Sequence, residues 1–263
     1  MSSKRGASDR IWADLREQIA SGRLAPGTAL PSTAELARHY GVASETARLA
    51  VTRLKEEGLV SGRAGAGVYV RSRPPLRRLG IDRYDKAKWQ GADLVAFAAD
   101  RVASPRAWEP GDQTQTVRRV PAAPDVAAAL GVDQGADVYE RARLIREHDA
   151  PTHTLTSYYR PEHVEGTRLT DDRAGPVGPG GGFRVLTDQG LEPAWINEEL
   201  QARMPTPEEV ATLQLPPGEP VVELRRTTFT AEDTPVEYAV GVHPASRFAW
   251  SYRFQIPDSG NRP

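Results

Sequence analysis

The chain has 263 residues, of which 39% are hydrophobic and 26% charged. This composition is that of a soluble globular protein, and the length suits two domains better than one. Because the chain contains no cysteine, disulfides, thiolate metal sites and cysteine nucleophiles are excluded, and a reducing cytoplasm is the expected compartment. No apolar run approaches the roughly 18 residues that a membrane span needs, and the polar N-terminus lacks the apolar core of a signal peptide. We therefore expect a cytoplasmic protein without a membrane partner.

Charge is distributed unevenly along the chain. Residues 1–78 contain 14 Lys and Arg against 7 Asp and Glu, a net charge of +7, whereas residues 79–263 contain 20 against 28, a net charge of −8. A basic N-terminal part on an acidic remainder indicates that the N-terminal part meets a polyanion. Charge alone leaves DNA, RNA and an anionic membrane surface open as that polyanion.

Three helices are predicted in the basic part. Apolar residues at helical spacing predict the first helix over 9–22. Ser32 and Glu35 fit a capping box, with a hydroxyl at N-cap and a carboxylate at N3, and predict a second helix that ends at Gly41. A third helix is predicted over 44–57, and its first residue is a further candidate N-cap. Two helices joined by a tight turn that contains glycine predict a helix-turn-helix.

A hairpin with a glycine-rich tip follows these helices. Residues 59–61 and 68–70 read as short strands on either side of the tip, and together they predict a wing. The run Arg73-Pro74-Pro75 favours extended chain and marks a linker. The sequence thus divides into a winged helix-turn-helix domain over 1–72, a linker and lead-in over 73–113, and a second domain over 114–257.

A helix-turn-helix places its second helix in the major groove of DNA, with its N-terminal residues at base edges. On that helix Arg48 can pair with guanine or grip a phosphate, and Glu45 can accept a hydrogen bond from cytosine N4. A merely solvated helix face is the alternative for both side chains, but the capped helix, the wing and the basic charge together favour double-stranded DNA. The predicted DNA-binding residues are Ser32, Thr33, Ser44, Glu45, Thr46, Arg48, Thr52, Arg53, Arg63, Gly65, Gly67 and Arg71.

The basic part resembles the winged helix of the GntR family over about residues 8–71. The resemblance rests mainly on Gly27-Thr28-Ala29-Leu30-Pro31-Ser32, Glu35-Leu36-Ala37, Glu57-Gly58-Leu59-Val60 and Gly65-Ala66-Gly67-Val68-Tyr69-Val70. It implies a bacterial transcription regulator, with DNA contacts at Thr46, Arg48 and Gly67. The family often has Glu-Arg or Glu-Asn where Thr33-Ala34 stand here, and an Arg where Ser44 stands. Base contacts at those positions are therefore lost or replaced.

Beyond residue 113 the pattern is rich in strands. Alternating apolar residues predict strands near 114–120, 136–146, 152–160, 220–230, 235–243 and 249–255. Helical patterns fit 124–130 and 205–213. The stretch 171–182 is rich in Gly and Pro and is predicted to be a mobile loop.

The order of these segments resembles the HutC subfamily of the GntR family, whose effector domain is called UTRA, over about residues 114–256. The landmarks include Val126-Ala127-Ala128-Ala129-Leu130-Gly131-Val132, Val138-Tyr139-Glu140-Arg141-Ala142-Arg143, Ser157-Tyr158-Tyr159 and Thr234-Pro235-Val236-Glu237-Tyr238. The resemblance implies an α+β protein in which the winged helix-turn-helix is joined to an antiparallel sheet flanked by helices, the architecture of chorismate lyase. It also implies repression that a small-molecule effector relieves, with activation as the alternative.

An effector site is predicted on the strands of this domain. Arg141 and Arg143 are two residues apart on one strand, so both side chains point to one face, where two guanidiniums can clamp a phosphate or carboxylate. Ser157 and Tyr159 repeat that spacing on the next strand, and Glu237 can accept hydrogen bonds from a hydroxyl or an amine. These five residues are the predicted effector site, and the effector is expected to be anionic. The alternative is a solvated sheet face on which the arginines pair with Glu140, Glu147 or Glu223.

No metal, cofactor or catalytic site is predicted. The five histidines form no spaced cluster, and the chain has neither a Ser-His-Asp order nor a phosphate-cradling loop. Leu155 stands where the UTRA family often has a glutamate, which removes a polar partner for an amino-sugar phosphate. We expect a homodimer on a palindromic operator, with residues 72–90 passing the influence of the effector to the DNA-binding domain. The rival hypotheses are a lyase-like enzyme with a DNA-binding head, and a dimer that binds DNA without an effector.

Overall fold

The computed structural model describes residues 2–63, 67–71, 77–87, 112–147, 150–173, 177–178 and 180–255. The chain divides into two units. The first, here called the head unit, is Met1–Pro75 together with Met204–Pro220. The second, the sheet unit, is Leu76–Arg203 together with Val221–Pro263. Residues 204–220, which the sequence assigns to the second domain, therefore group with the head.

The N-terminal part of the head unit is a winged helix-turn-helix, as predicted. Its elements are α1 (Ser2–Ala20), α2 (Thr33–Tyr40), α3 (Ser44–Glu56), β1 (Val60–Arg63) and β2 (Gly67–Val70). Strands β1 and β2 pair antiparallel, from Val60 opposite Val70 to Arg63 opposite Gly67. Helices α2 and α3 form the helix-turn-helix, and the two strands form the wing.

The start of α2 follows from its capping box. The Ser32 hydroxyl accepts a hydrogen bond from the Glu35 N–H at 3.2 Å, and the Glu35 carboxylate accepts one from the Ser32 N–H at 2.8 Å. The helix ends at Gly41, whose φ of 65° is in the left-handed region that favours glycine. For α3 the predicted cap is wrong. The N-cap is Ala43, which offers no side-chain hydrogen bond, and Ser44 is already helical.

The core of the head lies between α1 and α3. Ile11 and Leu15 of α1 pack with Ala47, Val51 and Leu54 of α3, and none of the five is more than 4% exposed. These positions are spaced three or four apart on each helix, so one face of each is apolar throughout. The opposite face of α3 is therefore left at the surface.

The sheet unit is built on six antiparallel strands in the order β4-β5-β6-β9-β8-β7. Their bounds are β4 (Gln113–Pro121), β5 (Asp137–Glu147), β6 (Ala150–Tyr159), β7 (Trp195–Arg203), β8 (Val221–Phe229) and β9 (Pro235–Pro244). The short strands β3 (Arg77–Leu79) and β10 (Phe248–Trp250) form a separate parallel pair. The predicted α+β class with an antiparallel sheet is confirmed.

Short helices and turns complete the described part of the chain. They are the 3-10 turns Ile81–Tyr84 and Arg168–Thr170 and the helices α4 (Pro124–Leu130), α5 (Pro161–Val164), α6 (Gly181–Asp188) and α7 (Pro207–Leu213), of which α7 belongs to the head unit. Helix α4 packs against the sheet through Val126 and Leu130, which contact a cluster that includes Val138 and Tyr238. Within the described ranges no helix is long and apolar enough to cross a membrane.

Two predicted elements differ in the structure. The strand predicted over 249–255 is wrong beyond its start, since β10 ends at Trp250. The predicted loop over 171–182 ends where α6 begins, at Gly181. The edge strand β7 was not predicted at all, because Trp195–Arg203 is mostly polar.

We expect Leu54→Ala to destabilise the head unit, because Leu54 is 0% exposed at the α1–α3 contact. Truncation of a buried leucine leaves a cavity and typically costs about 2–5 kcal/mol. The free energy of unfolding, measured by urea denaturation, checks this. The matched control is Leu49→Ala on the same helix, where the side chain is 46% exposed. An equal loss of stability in both variants would contradict the packing described.

Candidate DNA-binding and effector-binding sites

The outer face of α3 is the candidate DNA-reading surface. Ser44, Glu45 and Arg48 are exposed on it, and Thr52 is partly exposed. Thr46 was predicted to contact DNA but is only 5% exposed, since its side chain points toward the core of the head. In the preceding helix-turn, Ser32 is exposed and Thr33 partly exposed. Six of the twelve predicted DNA-binding residues are thus at least partly exposed on the outer face of α3 or at the start of α2.

Arg48 and Glu45 form a bidentate ion pair on this surface. The Arg48 Nε and Nη2 atoms lie 2.7 Å and 2.6 Å from the two Glu45 carboxylate oxygens. The hydrogen bonds and charge of Glu45 raise the pKa of Arg48. Both side chains are about 60% exposed (60% and 63%), so the pair itself contributes little stability. Its effect is to hold the guanidinium plane in one orientation on the outer face of α3.

Two other predicted DNA contacts are held inside the head unit. Arg53 lies 2.8 Å from the Asp9 carboxylate and stacks over the Trp12 ring, 3.6 Å from its centroid. Arg71 lies 2.7 Å from the Glu219 carboxylate, and these side chains are 16% and 4% exposed. Both arginines therefore make contacts within the head unit in this structure. Their contacts with DNA remain predictions.

The wing is described only in part. Gly67 has a φ of 103°, a conformation that favours glycine, and a side chain there would meet nothing within 4 Å. Glycine is therefore required by the backbone, and the open space beside it suits the approach of another molecule. Gly65 and the side chain of Arg63 lie outside the described residues.

The five predicted effector residues meet in one cluster inside the sheet unit. Arg141 on β5 lies directly opposite Ser157 on β6. Ser157 and Tyr159 donate to one oxygen of the Glu237 carboxylate, at 2.7 Å and 2.9 Å. Arg143 donates to the Ser157 hydroxyl and, at 3.1 Å, to the Leu155 carbonyl. The alternation of side chains along the strands thus brings the cluster together as predicted.

Glu237 is the centre of this cluster. Its second carboxylate oxygen accepts from Arg226 at 2.7 Å and from Thr228 at 3.4 Å, both on β8. Burial raises the pKa of Glu237, but the charges of Arg226 and Arg143 and the hydroxyls outweigh burial and bring it to about 2. The predicted role of Glu237 was to accept from a ligand. In the structure its oxygens are taken by four internal donors, so it orients its neighbours.

Among the described residues neither Arg141 nor Arg143 has a carboxylate partner in hydrogen-bond range, and Arg141 is the less satisfied of the two. It is 2% exposed, its Nε has no hydrogen-bond partner there, and its Nη2 donates to the neutral Gln115 side chain. Burial and the adjacent charge of Arg143 lower the pKa of Arg141 to about 9. The cluster therefore holds three arginines, including Arg226, around a single buried carboxylate.

The alternative of a solvated arginine face is wrong for this site. Glu140 pairs with Arg118 at 2.7 Å, and Glu223 pairs with Arg203 and Arg225, each at 2.7 Å. These carboxylates are therefore engaged elsewhere. Arg226 and Gln115 were missed from sequence, although the spacing of Arg226 and Thr228 on one strand repeats that of Arg141 and Arg143. In the described part of the chain, no group of three or more potential ligand side chains could hold a metal ion.

Comparison with known proteins agrees with both halves of this description. The sequence pattern of the UTRA domain matches residues 108–249, and that of the bacterial regulatory proteins of the gntR family matches residues 7–70. An uncharacterised HTH-type transcriptional regulator of Streptomyces coelicolor is 57% identical over 252 residues, which are 94% of each chain. The HTH-type transcriptional repressor NagR of Bacillus subtilis is 25% identical over 246 residues, 92% of this chain and 91% of NagR.

Solved structures show the same fold. A structure described as a GntR-family transcriptional regulator has 30% sequence identity and a TM-score of 0.62, over 95% of this chain and 98% of that one. PhnF from Mycobacterium smegmatis has 19% identity and a TM-score of 0.55, over 94% of this chain and all of PhnF (100%).

We expect Arg48→Ala to weaken binding to the DNA upstream of the gene. A guanidinium that contacts a base is worth about 1–3 kcal/mol of discrimination, and one that contacts a phosphate contributes about one unit of salt slope. Fluorescence anisotropy at several salt concentrations measures both quantities. The control is Arg23→Ala, which removes the same charge from an exposed pair with Glu17 elsewhere on the head. Equal losses in the two variants would mean that Arg48 acts only through net charge.

Proposed function

Because the chain belongs to the GntR family of bacterial regulatory proteins and carries a UTRA domain, we propose that it is a homodimeric repressor of HutC type, released from a palindromic operator by a small anion. Two-fold symmetry in the operator requires two heads, so a homodimer is the simplest form that binds it. The chain acts where the bacterial DNA is, in the cytoplasm. The NagR relative, which is named as a repressor, supports repression.

The surplus of buried positive charge around Arg141 carries the proposal of an anionic effector. A buried charge without a partner costs several kcal/mol, so the sheet unit retains Arg141 at the expense of its own stability. A phosphate or carboxylate beside Arg141 and Arg143 would supply the missing negative charge. It would also accept a hydrogen bond from the Nε–H of Arg141, which has no partner among the described residues. Hydrogen bonds from ionised donors to an anion are about twice as strong as neutral ones.

The surroundings of the arginines support binding of a small ligand at this place. Gln115, which accepts from Arg141, donates through its amide to the carbonyls of Asp171 and Arg173, at 3.2 Å and 2.5 Å. The loop that follows the second 3-10 turn is thereby fixed next to the arginines. Ser157 lies on the other side and is 0% exposed. The ligand would thus bind between the loop at residues 171–173, which Gln115 holds by hydrogen bonds, and strand β6.

We propose that this site binds without catalysis. General acid–base chemistry needs a group with a pKa near the working pH. The pKa of Glu237 is held at about 2, and burial raises that of Tyr159 above its ordinary value. The Tyr159 hydroxyl also donates its hydrogen bond to Glu237, whose oxygens accept from three further donors. Neither is therefore poised to exchange a proton with a ligand near neutral pH.

We expect Arg141→Met to leave the anion-free protein as stable as before or more stable, and to abolish anion binding. The first effect follows because replacing a buried charge by an apolar side chain of similar size is often neutral or stabilising. The second follows because the unpaired guanidinium is lost. Thermal unfolding measures both, with inorganic phosphate, sugar phosphates and small carboxylates tested at constant ionic strength. At a concentration 100 times Kd a ligand stabilises by about 2.7 kcal/mol, which corresponds to a rise in Tm of roughly 5–10 °C.

Two further variants control this experiment. Arg146→Met changes the same strand at a side chain that bonds Thr114 at 2.8 Å, and it should keep the anion-dependent rise in Tm. Arg226→Met leaves Glu237 buried without its ion pair and should cost about 3–5 kcal/mol. If Arg141→Met destabilised the protein as Arg226→Met does, or kept the rise in Tm, the anion site would be misplaced. Light scattering of the same samples gives the mass and so tests the dimer.

A further inference from the structure

The 3-10 turn Ile81–Tyr84 is anchored in the sheet unit by polar contacts. Arg83 is 7% exposed, and its Nη2 lies 2.5 Å from the Glu198 carboxylate on β7. The Tyr84 hydroxyl donates to the same Glu198 oxygen at 2.7 Å. The turn follows closely in sequence on Pro75, where the N-terminal part of the head unit ends. The turn and β3 are thus the first described elements of the sheet unit after the N-terminal part of the head unit.

Arg226 connects this turn to the candidate effector cluster. Its Nη2 lies 2.7 Å from Glu237, and its Nη1 lies 3.3 Å from the Tyr84 hydroxyl. The guanidinium is also 5.4 Å from the ring centroids of both Tyr84 and Phe183. One buried side chain thus pairs with the central carboxylate of the cluster and with the hydroxyl of the turn.

The hydrogen bonds of the cluster offer a way for a ligand to act on this connection. The Ser157 hydroxyl has one proton, which it donates to Glu237, and it accepts from Arg143. An anion held by Arg143 would accept that proton, since an ionised acceptor within reach competes with Glu237 for it. Glu237 would then depend more on Arg226, whose guanidinium is also bonded to Tyr84. Any shift of Arg226 toward Glu237 lengthens its contact with the turn.

We propose that Arg226 transmits occupancy of the anion site to the turn Ile81–Tyr84 through the Tyr84 hydroxyl. The proposal rests on the anion site proposed above and names the residues through which that site regulates. The affected element would be the turn, which would take one arrangement with Tyr84 bonded to Arg226 and another with that bond released. Both ligand and DNA would bias this one element, as allosteric coupling requires.

Tyr84→Phe tests the proposal, because it removes the hydroxyl and keeps the ring. The matched control is Tyr252→Phe. The Tyr252 hydroxyl donates at 2.6 Å to the other oxygen of the same Glu198, and no described contact joins it to Arg226. The chain has no cysteine, so Ala87→Cys, at an exposed position just after the turn, accepts a single environment-sensitive fluorophore in each background.

Inorganic phosphate at constant ionic strength is the probe, and its binding is measured separately by calorimetry. We expect phosphate to change the fluorophore emission in the labelled protein and in its Tyr252→Phe form. In the Tyr84→Phe form the emission change should be lost although phosphate still binds. The same loss is expected in operator release, where a coupling factor of about 5- to 150-fold falls toward one. An unchanged emission response in Tyr84→Phe would overturn the proposal and leave the anion site standing.

A second arm needs no ligand. Ser157→Ala removes one donor to Glu237 at a distance from the turn, and we expect it to shift the emission of the fluorophore at position 87. The shift should vanish when Tyr84→Phe is present as well. If calorimetry shows no phosphate binding, phosphate is not the anion of the proposed function, and this arm alone decides the coupling. An emission that Ser157→Ala leaves unchanged, or that shifts equally with Tyr84→Phe, would then contradict the role of Arg226.

Discussion

The ion pair between Glu237 and Arg226 is the interaction on which the polar interior of the sheet unit depends. A carboxylate that is 3% exposed is tolerated only when it is paired and its remaining lone pairs accept hydrogen bonds. Arg226, Thr228, Ser157 and Tyr159 fulfil this requirement. Each of them is thereby fixed in orientation. The arrangement of the candidate site follows from the need to satisfy one buried charge.

Arg141, by contrast, is a buried charge without a carboxylate partner in hydrogen-bond range among the described residues. Its guanidinium is as buried as Glu237, yet it donates to a neutral amide. A protein selected only for stability would have an apolar residue at this position. Natural proteins keep such unfavourable groups mainly where function needs them. The contrast between a satisfied carboxylate and an unsatisfied guanidinium is the observation that favours our proposal of a binding site here over a structural ion-pair network.

The head unit divides its arginines in a similar way. Arg53 and Arg71 are held by Asp9 and Glu219 and contribute to the fold of the unit. Arg48 is exposed and is oriented by its neighbour Glu45. The net charge of +7 over residues 1–78 therefore does not translate into seven free cations. Most of the recognition expected of this unit falls on the outer face of α3.

The sequence predicted those features that depend on residues close together in the chain. The capping box of Ser32 and Glu35 and the two-residue spacing of Arg141 and Arg143 are visible in the sequence, and both features are in the structure. Strand β7 was not predictable in this way, because neither face of this edge strand is buried and polar residues such as Glu198 occupy its less exposed face, so apolar residues do not alternate regularly in Trp195–Arg203.

Contacts that depend on the register of distant strands were also beyond the sequence. Arg226 meets Glu237 only because β8 lies beside β9, with Thr228 opposite Glu237. Arg71 meets Glu219 because residues 204–220 group with the head. No pattern in the neighbouring sequence indicates that Arg226 pairs with Glu237 or that Arg71 pairs with Glu219. The sequence thus indicated the members of the effector cluster on β5, β6 and β9 and missed Gln115 on β4 and Arg226 on β8.

The most direct test of the account is an anisotropy titration of the full chain against its own upstream DNA and a scrambled fragment, at two salt concentrations, with and without the anion that raises Tm most. Specific regulators bind their sites about 10³–10⁷-fold more tightly than other DNA. The account predicts a preference of that order for the native fragment, and a loss of that preference when the anion is added. Equal, strongly salt-dependent binding to both fragments, unaffected by any anion, would contradict it.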